Sequence, residues 1–274
     1  LNEAKLQYYC SNCNTVLKET QSNLKLAYLV EPCPSCGSLL SESLQKRSTI
    51  KKINHSIFFQ SALNIPQLRF DIEKLDPILN FLRPNQVVRI TGYHCQKLVE
   101  RLCVRALLPK RHGGLDSNVL VIDGGNSSDP SLCINFARQY GLQVDNVLSK
   151  IITSRAFTVY QLSSLVTHHL QNAITKYNTK LVVISELCDM FSDDPFLDQN
   201  EATLILQDMI NSISKIQDCI IVVSISKPTK YDNVINRMLD RAIRISRERD
   251  RLSIKVDNND IVIKETELEI IPQR

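Results

Sequence analysis

Five short, nearly continuous apolar runs separated by amphipathic stretches constrain this chain more than any other feature. They are Val87–Thr91 (VVRIT), Val119–Asp123 (VLVID), Lys150–Thr153 (KIIT), Leu181–Ser185 (LVVIS) and Ile220–Ser224 (IIVVS). A strand with one wet face alternates apolar and polar residues, whereas an uninterrupted apolar strand must be covered on both faces. Between the runs, Leu98, Leu102 and Ala106 recur at helical spacing, as do Leu132, Phe136 and Tyr140; longer helical patterns span Val159 to Ile174 and Ala202 to Ile216. Strands that alternate with helices predict an α/β fold, a mainly parallel sheet flanked by helices on both faces. Around Ala242 the pattern turns to close-spaced strands (RAIRIS, LSIKV, IVIKE), the last two joined by the polar DNND, which predicts a meander at one end of the sheet.

The 274 residues, 43% of them hydrophobic, suffice for one such domain plus a small module. No run approaches the roughly 18–20 apolar residues of a membrane span. The stretch LNEAKLQYYC has neither a basic start nor an apolar core, so no secretory signal is expected. Nine cysteines raise the question of disulfides, but their placement argues for a reducing, cytoplasmic setting. Cys95, Cys103, Cys133, Cys188 and Cys219 are scattered singly, and Cys103 and Cys219 sit among apolar residues as small core hydrophobes.

The other four form two tight pairs, Cys10-Ser11-Asn12-Cys13 and Cys33-Pro34-Ser35-Cys36, separated by 19 residues. Two such knuckles present four thiolates tetrahedrally to one zinc ion, and Asn14 and Gly37, which follow the second cysteine of each pair, readily enter the left-handed turn a knuckle needs. Four sulfur ligands leave no open position for water, so the expected Zn²⁺ is structural. The polar, basic QKRSTIKKI from Gln45 to Ile53 reads as a linker. The expected organisation is a zinc ribbon over residues 1–45, a linker over 46–64 and the α/β core over 65–274.

A parallel sheet whose first strand ends in glycine before a helix is where a phosphate-binding loop, G-x-x-x-x-G-K-[S/T], belongs. Here the segment is Gly92-Tyr93-His94-Cys95-Gln96-Lys97-Leu98-Val99. Only the first glycine is present: Lys97 stands at the second glycine, Leu98 at the lysine and Val99 at the hydroxyl residue.

The flanking sequence nevertheless resembles a known family. RFDIEKLDPIL (Arg69–Leu79), Tyr140-Gly141-Leu142 with Val144-Asp145-Asn146-Val147-Leu148, and Arg155-Ala156-Phe157 with Gln161 are similar in kind and spacing to the ATPase core of the RadA-type recombinases, the archaeal and eukaryotic relatives of RecA. The resemblance covers about residues 65–245 and implies a RecA-like fold and a role in recombinational DNA repair. It also implies a degenerate ATPase. Gly125 stands where the family has its catalytic glutamate, Ser185 where it has the Mg²⁺-side aspartate, with Glu186 adjacent, and Ser226 or Lys227 near its nucleotide-sensing glutamine. With lysine, hydroxyl and both carboxylates gone, ATP and Mg²⁺ are not expected and no catalytic residue is assigned.

Partners follow from the same comparison. Phe59-Gln60-Ser61-Ala62 matches the F-x-x-A pattern with which family members dock on a neighbouring core, so Phe59 and Ala62 are candidates for binding a RadA-type recombinase or a paralogue. Packing of Phe59 on the chain's own core is the alternative. The segment from Glu186 to Glu201, at the family's first DNA loop, holds six acids and no Lys or Arg, so it is not expected to meet DNA. Lys227, Lys230, Arg237, Arg241, Arg244 and Arg247 form the candidate contact to DNA, expected single-stranded, in a chain of net charge +4; a solvated strand surface is the alternative. The resulting expectation is a non-catalytic paralogue serving as an accessory factor in recombination. A DNA-dependent ATPase, or a zinc-ribbon regulator that dimerises through its core, are the rival readings.

Overall fold

The computed structural model describes residues 6–10, 16–20, 44–47, 66–194 and 196–271. The chain divides into two compact units, Leu1–Asn64 and Ile65–Arg274. In the first, β1 (Leu6–Cys10) pairs antiparallel with β2 (Val16–Thr20) and β3 (Leu44–Arg47). Strand β3 takes Gln45, Lys46 and Arg47 out of the stretch read as linker: their backbone pairs with Gln7–Tyr9, a ladder that polar composition does not forbid. Cys10 closes β1; Cys13, Cys33, Cys36, Phe59 and Ala62 lie outside the described residues.

The second unit is built on an eight-stranded sheet, in the order β11-β10-β9-β4-β8-β7-β5-β6. Strands β4 (Val87–Gly92), β5 (Asn118–Asp123), β6 (Ile151–Arg155), β7 (Thr179–Ser185), β8 (Ile220–Ile225) and β9 (Arg241–Glu248) are parallel. The meander is completed antiparallel by β10 (Arg251–Val256) and β11 (Asn259–Lys264). The helices are α1 (Asp76–Leu79), α2 (Cys95–Ala106), α3 (Pro130–Gln139), α4 (Val144–Lys150), α5 (Val159–Ser164), α6 (Leu170–Tyr177), α7 (Asp189–Asp193), α8 (Gln199–Ile213), α9 (Asp232–Ile235) and α10 (Thr266–Glu269).

Four of the five apolar runs are buried on both faces, as their continuity requires; the fifth, KIIT, forms the edge strand β6, where Ile151 and Ile152 are half-buried and Lys150 and Thr153 exposed. Val88, Ile90, Val119, Val121, Leu181, Val183, Ile220 and Val222 share one core with Leu98 and Leu102 of α2. Their strand neighbours Val87, Leu120, Ile122, Val182, Ile184, Ile221 and Val223 point the other way, into a core with α5, α6 and α8. Each such side chain contributes about 1.5–3 kcal/mol by leaving water. The five single cysteines are free and buried among them.

The helix expected from Val159 to Ile174 is interrupted by one π-helical turn, Leu165–His169. From Leu162 onward its buried residues, Leu162, Val166, Leu170 and Ile174, recur every four positions, whereas an α-helix turns every 3.6. One wider turn takes up the accumulated rotation and keeps the stripe on the sheet.

Candidate functional site

In open α/β sheets, ligands lie beyond the carboxyl ends of the central strands. Here those ends are Gly92, Asp123, Ser185 and Ile225; of the residues nominated from sequence, Gly92, Gly125, Ser185 and Glu186 lie there, while Lys97 turns away and Leu98 and Val99 enter the core.

The turn between β4 and α2 is too short to cradle a phosphate. Helix α2 starts at Cys95, so only Tyr93 and His94 follow Gly92 before helical geometry sets in. The Tyr93 N–H donates to Ile245 O of β9 (2.9 Å) and the Lys97 N–H to His94 O (3.0 Å), so these amides already have partners. Gly92 has φ +94°, and a Cβ built there lies 2.1 Å from Ile245 O. This glycine permits the close approach of β9. Lys97 points to the carboxylates of Glu265 (3.5 Å) and Glu269, and His94 Nε2 lies 2.8 Å from Glu265. Leu98 and Val99 are core residues of α2.

Across the site, the Glu186 side chain fills the space beside Gly125. Glu186 follows β7 with φ +51°, and its N–H donates to Ser224 Oγ (3.3 Å). Its Oε2 accepts from the Ser226 N–H (2.9 Å) and hydroxyl (3.0 Å), and Cys95 Sγ lies 4.0 Å from Oε1. A Cβ on Gly125 would lie 2.5 Å from Glu186 Cβ and 2.7 Å from its Cγ. The missing side chain at 125 and the carboxylate at 186 are therefore one interlocked feature. Ser185 is buried with its Oγ unpartnered among the described residues. Asp123 holds the turn that follows β5, accepting from the N–H groups of Ser127 (2.9 Å) and Ser128 (3.2 Å), with Arg155 Nε at 3.5 Å.

Burial raises the Glu186 pKa above the usual 4.5, and Asp189 adds to this, against the Ser226 hydrogen bonds and the Lys227 charge. The Cys95 thiol is pushed up to about 12, first by burial and then by Glu186, so it is not a nucleophile at neutral pH. The raised carboxyl favours the native state where it is protonated, below its ordinary value, and that contribution is lost as pH rises through the elevated one. Glu186→Gln, which keeps an acceptor for Ser226 and removes the charge, is expected to differ least from wild type near pH 4.5 and to become progressively the more stable toward neutrality. Urea unfolding of both proteins across that range measures it; a constant difference contradicts it.

The arrangement offers a nucleotide little. Lys97 is turned to Glu265 and Glu269, no hydroxyl stands at position 99, and the Glu186 carboxylate lies among the groups that would meet phosphate, a set that does not fit ATP and Mg²⁺. Among the described residues no group of three or more His, Cys, Asp or Glu is arranged to hold a metal.

The basic candidates divide by engagement. Arg241 donates to Leu79 O, and Arg247 donates to the Tyr93 hydroxyl (3.0 Å) with its guanidinium 5.3 Å from the ring centre. Lys227, Lys230 and Arg237 are exposed around the turn after β8, Lys230 lying 5.2 Å from the Tyr231 ring centre. Arg244 projects from the exposed face of the meander opposite Lys255, which faces Asp260 on its other side; four residues along β10, Arg251 lies between Glu248 and Lys264, so the four cations Arg244, Lys255, Arg251 and Lys264 share the face with two acids. None of these four has an ion-pair partner within 4.0 Å among the described residues. Arg251 and Lys255 belong to the same basic stretch of sequence as Arg244, whereas Lys264 joins the face only through the antiparallel pairing of β10 with β11. Strand alternation with antiparallel register was the signal that could have found it.

The Rad51 family model matches residues 88–226, more than half of the chain, from β4 to just past β8. No helix among the described residues is long and apolar enough to cross a membrane. The matched stretch holds the central parallel strands and the altered site from Gly92 to Ser226, and on this match the chain belongs to the Rad51 family, the RecA-like recombinases of DNA recombination and repair.

Proposed function

We propose that this chain is a non-catalytic member of its family, an accessory factor that uses the RecA-like core as a scaffold for binding DNA and a recombinase-type partner. One observation carries the reading: Glu186 occupies the space that Gly125 vacates, at the end of the sheet where a nucleotide would lie. Phosphoryl transfer relies on positive charge, from lysine and Mg²⁺, around the transferred group. Here Lys97 is turned to Glu265 and Glu269, and a carboxylate faces inward instead. Nothing in this geometry favours an ATPase.

DNA contact is assigned to the exposed meander face, through Arg244, Arg251, Lys255 and Lys264, with Lys227, Lys230 and Arg237 nearer the strand ends. The meander face carries no aromatic side chain on which bases could stack, which favours contact with the phosphate backbone. The ribbon reading keeps Cys10, Cys13, Cys33 and Cys36 on one structural zinc, supported by their spacing, and Phe59 with Ala62 as the docking segment, supported by the F-x-x-A pattern.

Binding to labelled single-stranded and duplex DNA over a range of salt tests the proposal. Binding is expected without nucleotide and unchanged by added ATP. Arg244→Glu with Lys255→Glu, at exposed positions, is expected to reduce the slope of log affinity against log salt by about 1.5–2. A slope equal to wild type, or binding that requires ATP, contradicts it.

A further inference from the structure

The surface formed by α5, α8 and the segment before α8 has a character that neither the altered site nor the basic face explains. Four large apolar side chains stand in solvent there: Phe196 is 93% exposed, Phe157 75%, Leu204 68% and Tyr160 56%. They lie on one stretch of surface. The Tyr160 hydroxyl donates to Glu201 Oε1 of α8 (2.8 Å), Leu204 follows Glu201 by one helical turn, and Phe157 leads into α5 with its N–H on Gln161 Oε1 (2.8 Å). Phe196 donates its N–H to Asp194 Oδ1 (2.9 Å), and the Asp194 charge is felt at Tyr160.

The same surface is anionic around these side chains. Residues 196–204, which carry Phe196 and Leu204, contain the acids Asp198 and Glu201 and no Lys, Arg or His. Around the apolar side chains the acids are Asp194, Asp198 and Glu201, and backbone fixes two of them: Asp194 accepts from Phe196 and Asp198 caps α8 through the N–H groups of Asn200 (2.8 Å) and Glu201 (3.4 Å). Such a field repels nucleic acid and anionic lipid alike. Exposed aromatic and aliphatic residues in a cluster mark an interaction surface, and here its charge selects the partner.

We propose that this surface docks a protein segment in which lysine or arginine side chains alternate with apolar ones. Phe196, Phe157, Tyr160 and Leu204 supply the apolar anchors, while Asp194, Asp198 and Glu201 pair with the cations at the rim. The proposal does not depend on the loss of catalysis, and it uses a surface separate from the basic meander.

The test titrates the full chain into a fluorescein-labelled synthetic peptide of about twelve alternating lysine and leucine residues, with a lysine–serine peptide as control, followed by anisotropy. The lysine–leucine peptide is expected to bind at least about tenfold more tightly than the control. Phe196→Ser with Leu204→Ser, and separately Asp194→Lys with Glu201→Lys, are each expected to weaken it by about tenfold or more. All four positions lie at the surface, and unchanged circular dichroism shows that each variant keeps its fold. Equal binding of both peptides, or variants that bind like wild type, overturns the proposal. So does sedimentation showing a dimer of wild type that Phe196→Ser with Leu204→Ser dissociates, since the occupant is then a second copy of the chain.

Discussion

Replacing Arg101 with methionine is expected to lower the unfolding free energy by about 3–5 kcal/mol, the combined cost of leaving several buried main-chain carbonyls without their donor. Arg101 lies in α2 and is 0% exposed. Its guanidinium donates to five main-chain carbonyls: Nε to Phe70 O (2.6 Å), Nη2 to Asp71 O (2.6 Å), and Nη1 to Glu267 O (3.0 Å), Leu268 O (3.2 Å) and Ile270 O (3.1 Å). A rigid fork of five donors thereby ties the segment before α1 and the segment around α10 to one point on α2. Methionine fills part of the volume but leaves these carbonyls short of partners in a dry interior, at about 1–3 kcal/mol for each one that water cannot reach. Lysine, with one nitrogen on a flexible stem, cannot reproduce the fork, so Arg101→Lys is expected to fall close to Arg101→Met. Urea unfolding followed by circular dichroism reads the change, and a loss below about 1 kcal/mol contradicts this account of the network.

Gly92→Ala is expected to cost about 2–4 kcal/mol, combining strain at a positive φ with overpacking of backbone. Sequence alone suggests a different role for this glycine. A glycine at the end of the first core strand is there to wrap phosphate in a nucleotide-binding loop, and its replacement in such a loop strikes ligand binding. In this chain φ is +94° and the added Cβ meets Ile245 O at 2.1 Å, so the same replacement strikes the junction between β4 and β9. Neither neighbour can yield easily, because Ile245 O also accepts the Tyr93 N–H and Ile245 is in the core. A thermal or urea unfolding comparison measures the loss; full stability in the variant removes the packing role assigned to Gly92.

Much of the fold was legible because its signals are local. Unbroken apolar strands such as VLVID and LVVIS demand cover on both faces, and the structure places successive side chains in opposite cores. The meander was legible for the same reason, since RAIRIS buries alternate residues and LSIKV alternates apolar with polar ones, although Ser253 is buried as well. What could not be read depends on contacts distant in sequence. Arg101 interrupts the apolar stripe of α2 and resembles a solvated residue until segments 31 and 166 residues away bring it their carbonyls. The absence of a catalytic carboxylate at Gly125 was visible, but not that Glu186 takes its volume, because that requires β5 and β7 to be set side by side. Short α4 escaped notice because Val144–Lys150 is too brief for a helical period to stand out. Phe196 and Leu204 look like core residues in the sequence, and only the fold leaves them in solvent.

The most direct measurement is a calorimetric titration of the chain with Mg²⁺ and ATP at roughly millimolar nucleotide, about the weak-binding limit of specific association, with phosphate release followed in parallel. With Glu186 filling the space beside Gly125 and Lys97 held by Glu265 and Glu269, the expected result is no saturable heat and no phosphate above background. A saturable, Mg²⁺-dependent heat accompanied by hydrolysis would contradict the account.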